Sequence, residues 1–414
     1  MAVARRRGAR GTSTRIERDS IGTVAVPREA LYGVHTWRAL RNLAFSGRSL
    51  ADYPGLLRAL ALVKLAAARA NRAARVLDAR RAHAIESACA SIARGAYRDQ
   101  FPADVLGGGG WIGINMNLNE VIAKLANRRL PGSQAVDPKA HVNASQSTAD
   151  VCHTASRIAI LTEWRELSAM LTACECAYCA KARQLRRVTT MARTCLQDAL
   201  PASLGEFLGG HAAGIARRTA ALDRAVTALR RVNLGGTVIG SGAGTSASYR
   251  GAVIARLREV TGMNLRRRAN LYDAAQNIDD LGAVAAELGL LAELLIKLAQ
   301  DLRLLASGPA GGFGEIILPA VQEGSSFFAG KINPVVPETL MLCCFEVLGC
   351  ERAARLGLER GELNLNVFEP AAAANILDAM SMLRRALGSF RECVTGLEAN
   401  LERCAELASR ARGS

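Results

Sequence analysis

Between Leu288 and Leu305 the chain holds its most apolar run. Within it Leu291, Leu294, Leu298, Leu302 and Leu305 recur at steps of three and four, the spacing of one face of a helix. Glu293, Lys297, Asp301 and Arg303 interrupt the run and exclude a membrane span, because each is costly in hydrocarbon. The stripe must therefore be buried against other helices. Comparable patterns run through Leu57 to Leu77, Ile158 to Leu185, Ala212 to Val232 and Ala371 to Leu407, separated by breaks containing Gly and Pro. Helices of that length pack as a bundle. With 50% apolar but only 4% aromatic residues, the core is expected to be aliphatic, and the bias to Ala, Leu and Arg predicts an all-α fold.

The net charge of +16 raises nucleic acid as a partner, but the basic residues are scattered and mostly Arg, with no aromatic-interleaved stripe. A solvated basic surface that attracts anionic substrates is the reading that fits. Arg5-Arg6-Arg7, followed by Gly8, Gly11, Thr12 and Ser13, reads as a disordered arm. Eleven cysteines without an apolar leader at the N-terminus indicate a reducing, cytoplasmic setting rather than a disulfide framework. Cys174, Cys176 and Cys179 lie inside a helical pattern with no complementary pair, and the five histidines are spread apart, so neither a metal set nor a cofactor motif is expected. Cys343, Cys344 and Cys350 read as small buried packing residues.

The chemistry concentrates in Gly324-Ser325-Ser326-Phe327-Phe328-Ala329-Gly330-Lys331-Ile332-Asn333-Pro334. This segment is too short to bury a core and crowds glycine, hydroxyl, lysine and amide groups together. Ser325 is a candidate proton acceptor, Lys331 a fixed positive charge, and Asn333 with the backbone a source of donors, the parts needed to stabilise an oxyanion. An ordinary Gly/Ser turn before a proline-stopped segment is the structural alternative.

GSSFFAGKINPVVPE resembles the signature loop of the fumarase/aspartase superfamily, whose usual form is Gly-Ser-Ser-x-Met-Pro-x-Lys-x-Asn-Pro. The resemblance continues in family order. Arg15 to Gly33 followed by VHTWRA is similar to the aspartase opening segment. Then come DQFPADV (Asp99 to Val105), INMNLNEVIA (Ile114 to Ala123), HVNASQSTAD (His141 to Asp150), RTCLQDALP (Arg193 to Pro201) and NLGGTVIG (Asn233 to Gly240). DLRLLASGP (Asp301 to Pro309) and LNLNVFEP (Leu363 to Pro370) follow.

That resemblance implies a fumarase/aspartase-like long-helix bundle, with five long helices per chain forming a twenty-helix tetramer core. The expected organisation is an N-terminal, mostly helical domain over 1–146, a central bundle over 147–404, and a charged tail over 405–414 in place of the family's third small domain. It also implies a carbon–nitrogen lyase that removes ammonia from aspartate or a related amino acid. Ser325 maps onto the family's base, and Lys331 and Asn333 onto its carboxylate ligands, with Ser326 beside them. Ser147, Thr148 and Thr194 match substrate contacts supplied by other subunits, and Asn143 and Gln146 would hold the loop of Ser147. Thr194 and Ser147 could instead cap helices, the commonest use of such residues. His141 reads as a packed loop histidine without a catalytic role. His153, which stands where relatives have Pro, reads as a partly exposed histidine at a helix start.

The departures bear on the substrate. Where relatives carry a Gly-Thr-Ser turn before Asn-Met-Asn, this chain reads Gly110-Trp111-Ile112-Gly113 before Ile114-Asn115-Met116-Asn117, and two hydroxyls are absent. Ala149 replaces Asn, Cys195 replaces His or Gln, Phe328-Ala329 replaces Met-Pro, and Ala310 replaces Arg. Losing one oxyanion donor costs about 3 to 4 kcal/mol of transition-state stabilisation, so several losses cripple standard turnover unless the pocket is rebuilt. Trp111, Ile112, Phe327 and Phe328 fit a substrate with an apolar portion as well as they fit decayed activity. A catalytically impaired scaffold and a fumarate hydratase-like enzyme are the competing readings.

Overall fold

A computed structural model describes residues 13–411, so the expected Arg5–Arg7 arm lies outside the described residues. The chain opens with an antiparallel hairpin, β1 (Thr14–Asp19) and β2 (Gly22–Pro27), in register from Thr14 opposite Pro27 to Asp19 opposite Gly22. Helices α1 (Val34–Asn42), α2 (Pro54–Ala73), α3 (Ala79–Ala93), α4 (Ile112–Asn127) and α5 (Thr148–Gln184) follow. A second hairpin, β3 (Thr189–Thr194) and β4 (Gln197–Ser203), leads into α6 (Leu204–Ala228), α7 (Ala247–Thr261) and α8 (Leu271–Gln276). The remaining helices are α9 (Asp279–Leu305), α10 (Val335–Glu359), α11 (Glu369–Gly396) and α12 (Leu401–Ser409).

The fold is helical, as the periodicity implied. The five longest helices are α5 (37 residues), α11 (28), α9 (27), α6 (25) and α10 (25). Two compact units divide the chain: residues 13–159, 230–278 and 357–371 in the first, and residues 160–229, 279–356 and 372–411 in the second. In the first, α2 packs on α3 and α7; in the second, α6 packs on α9. Of the residues described, no helix is long and apolar enough to cross a membrane.

On α9 the buried stripe is Leu288, Leu291, Leu295, Leu298 and Leu302, while Leu294 and Leu305 are half-buried. The helical period is as expected, with its centre rotated by one position. Each leucine buried there contributes about 1.5–3 kcal/mol. The sequence reading missed α10, because its apolar residues surround the helix: Leu342 is 62% exposed and Phe345 49% exposed. Of the cysteines expected to pack in the core there, Cys344 is buried and Cys343 and Cys350 are half-buried.

The segment expected as a charged tail begins as helix. Asn400 caps α12 by accepting from the Arg403 N–H at 3.2 Å, and Leu407 and Ala411 bury against Met191 of β3.

Candidate active site

The loop of Ser325 is built around its glycine. Gly324 N–H donates to the Lys331 carbonyl at 2.8 Å, and Asn333 Nδ2 donates to the Gly324 carbonyl at 2.6 Å. A Cβ on Gly324 would lie 2.5 Å from the Lys331 oxygen and 2.7 Å from the Asn333 nitrogen, so this close approach admits glycine alone. The closure aims two backbone donors at one hydroxyl. Ser325 Oγ accepts from the N–H of Phe327 at 3.0 Å and of Phe328 at 2.9 Å. A serine is a poor base until its alkoxide is stabilised, and fixed N–H groups supply that stabilisation without reorganisation. Lys331 Nζ stands 5.9 Å from the Phe328 ring centre, which orients the ammonium. Asn333 is committed to the loop through one amide hydrogen and retains a second. Ser326, Phe327, Phe328 and Lys331 are exposed.

Ser147 and Thr148 sit at the start of α5. Ser147 Oγ accepts from Ala149 N–H at 3.3 Å while Asp150 Oδ1 accepts from Ser147 N–H at 2.9 Å, a reciprocal cap. The capping role weighed for Ser147 is therefore realised, and the same cap fixes its hydroxyl at the positive end of a 37-residue helix. Asp150 Oδ2 also accepts from Gly235 N–H at 2.9 Å and Thr237 N–H at 3.1 Å, which ties the NLGGTVIG segment to this corner. Burial raises the Asp150 pKa even against those backbone donors.

Asn143 does hold the loop. Its Oδ1 accepts from Lys64 Nζ at 2.8 Å and from Asn115 and Asn119 at 3.2 Å each, while Asn115 Nδ2 reaches Thr148 Oγ1 at 2.9 Å. Gln146 Nε2 donates to the Val142 and Ala144 carbonyls, both at 3.0 Å. Lys64 is fully buried, and that burial lowers its pKa to about 8 despite Asp150, Cys152 and Cys89 nearby. His141 serves the local backbone, with Nδ1 accepting from the Asp137 N–H at 2.8 Å. Deeper in the same unit, Glu120 accepts from the Gly33, His35 and Thr36 N–H groups and from the Thr36 hydroxyl at 2.6 Å. One carboxylate thereby caps α1 and joins VHTWRA to INMNLNEVIA.

Thr194 does not cap a helix. It ends β3, opposite Gln197, and the two turn residues Cys195 and Leu196 have φ of 53° and 60°. Those left-handed angles belong to a tight hairpin turn, here made without glycine or asparagine, and they leave Thr194, Cys195 and Leu196 exposed. The hairpin is anchored from beneath. Arg193 Nη1 donates to Glu315 Oε1 at 2.6 Å and its guanidinium lies 4.1 Å from the Phe313 ring centre, while the Thr190 hydroxyl donates to Glu315 Oε2.

His153 corrects the expectation of partial exposure. It is 2% exposed, with Nδ1 3.1 Å from Glu369 Oε2. Glu369 Oε1 accepts from Arg157 at 2.6 Å and Ser156 at 2.9 Å. Burial alone would raise the Glu369 carboxyl, but Arg157 and His153 outweigh it and hold the group far below the ordinary carboxylate range. This cluster borders a cavity of about 310 Å³ that Ser147, Thr148 and Ala149 also line. Nothing local announces it, since Glu369 lies 216 residues from His153; the sole signal was the matched LNLNVFEP segment.

Ser147 and Thr148 thus share one cavity in the first unit. Ser325, Ser326, Lys331 and Asn333 share one loop in the second, and Thr194 stands on a hairpin of that same unit. Such groups, hydroxyls under backbone donors and at a helix N-terminus, have the chemistry of anion stabilisation on a helical scaffold.

Comparison with known proteins places that scaffold. A family profile described as lyase matches residues 22–349. The aspartate ammonia-lyase of Pseudomonas aeruginosa is 41% identical over 97% of this chain and 86% of its own length, and that of Escherichia coli 37% identical over 94% and 83%. Among solved structures, the Brucella melitensis fumarate lyase:delta crystallin bound to cobalt superposes with a TM-score of 0.93 at 41% identity, over 95% of this chain and 87% of that one. The class II fumarase of Schistosoma mansoni gives 0.92 at 28% identity, with the same shares covered. The chain belongs to the fumarase/aspartase superfamily of lyases.

Proposed function

We propose that this protein is an aspartate ammonia-lyase-like carbon–nitrogen lyase, working as a cytoplasmic homotetramer on aspartate or a related amino acid. The observation that carries the reading is the Ser325 oxygen under two backbone N–H groups, on a loop closed by Gly324 and Asn333, in a chain whose relatives bear the aspartase name. Ser325, as alkoxide, removes the proton beside a substrate carboxylate. The resulting dianion is stabilised by Lys331, Asn333 and Ser326, and Ser147, Thr148 and Thr194, drawn from other subunits, surround the second carboxylate and the departing nitrogen. The exposed Leu342 and Phe345 of α10 support burial of that helix against further chains.

The test follows the ultraviolet absorbance of the unsaturated acid with purified protein. Ser325→Ala is expected to lower the rate at least a hundredfold, the ordinary contribution of a general base. Turnover unchanged in that variant refutes the mechanism. A scaffold without activity is the second reading, favoured by Ile112, Gly113, Ala149 and Cys195 at expected substrate positions. It predicts no turnover with any succinate-type substrate, and one measurable rate refutes it.

A further inference from the structure

We propose that the cavity beside Ser147 and Thr148 selects an aspartate carrying an apolar substituent, an inference that rests on the lyase reading for the dicarboxylate itself. The cavity is about 310 Å³, room for about ten waters at liquid density. Two of its polar groups gather in one corner, where the Ser147 and Thr148 hydroxyls meet the N-terminus of α5. That corner suffices for one carboxylate. Among the other polar walls, Trp111, Asn366 and Glu369 are already engaged. Trp111 Nε1 donates to the Val105 carbonyl at 2.7 Å, and both Glu369 oxygens accept from His153, Ser156 and Arg157. Ile112, Leu365, Val367 and Pro370 add an apolar surface that a bare aspartate leaves in contact with water.

The backbone keeps this shape at a cost. Gly109, Gly110 and Trp111 have φ of 75°, 60° and 69°, three successive left-handed residues, and for a bulky tryptophan that is strained. The turn leaves Ile112 46% exposed at the cavity wall. A second, separate feature agrees. On the loop of the proposed base, Phe327 is 85% and Phe328 60% exposed, with the rings edge to face at 4.8 Å. Large exposed rings mark surfaces that a partner or ligand covers.

The chemistry balances without a further reactant. Ser325 as alkoxide takes the C3 proton and holds it until exchange with solvent. The C3–H pair becomes the C2–C3 double bond, and the nitrogen, cationic in the substrate, departs as neutral amine with the C2–N pair. An N-substituted substrate yields fumarate and an organic amine; a C3-substituted one yields a substituted fumarate and ammonia. Product analysis distinguishes the two.

The full-length protein is assayed with aspartate, N-benzylaspartate and 3-benzylaspartate, by turnover and by calorimetric binding. The expected result is a kcat/KM at least tenfold higher for one benzyl compound than for aspartate, with Val367→Phe reversing that ratio by tenfold or more. Turnover of aspartate with poorer turnover of both benzyl compounds overturns the inference and leaves the lyase reading standing. With no turnover at all the lyase reading falls and binding decides: a tenfold tighter benzyl compound upholds the apolar selectivity, and equal or weaker binding overturns it.

Discussion

Removing the carboxylate of Glu315 tests whether the hairpin bearing Thr194 is held as the geometry implies. Glu315 is fully buried and binds Arg193 at 2.6 Å, with the Arg193 side chain 12% exposed. Breaking a buried ion pair from one side costs about 3–5 kcal/mol, because the surviving charge is left desolvated. Arg193 also donates to the Met191 carbonyl at 3.2 Å and lies over Phe313, contacts that survive the change, so Glu315→Gln is expected at the lower end, about 3 kcal/mol. Arg193→Met strands the carboxylate and should cost a similar amount. The double variant should cost less than the sum by about 2 kcal/mol, within the range measured for residues in direct contact. The assay is denaturant unfolding at fixed protein concentration, since assembly shifts apparent stability. Additive single effects, with coupling below about 0.5 kcal/mol, would show that the pair does not anchor the hairpin.

Other consequences follow from single groups. Gly324→Ala should drive the loop open and cut kcat about tenfold or more, since a misplacement near 1 Å at a site is costly, while unfolding stability falls by about 1 kcal/mol or less because most of the loop is exposed and opens locally; steady-state kinetics and a melting curve check both. Lys64 has a folded pKa of about 8 against 10.5, so the unfolded state binds more protons between those values and this group's contribution to stability rises with pH across that window. The full effect is on the order of 3 kcal/mol, and Lys64→Met should lose that rise when unfolding is compared with the parent from pH 7.5 to 10.5; parallel curves would exclude it.

The helices were legible because a helix writes its pattern locally: Leu288, Leu291, Leu298 and Leu302 recur with the period of the backbone, whatever else the chain does. The loop of Ser325 was legible for a similar reason, since its glycine, serines, lysine and asparagine lie within eleven residues. Contacts between distant segments were not. His153 read as a partly exposed histidine at a helix start, yet Glu369, 216 positions later, closes over it. Thr194 gave no sign of a hairpin, because Cys195 and Leu196 carry none of the glycine or asparagine that left-handed turns favour. Sequence alone determined the helical class and the family, both properties of local spacing and residue chemistry. Tertiary structure decided which oxygens are already hydrogen-bonded, which charges are desolvated and how large a cavity remains, because each depends on partners that only folding brings together.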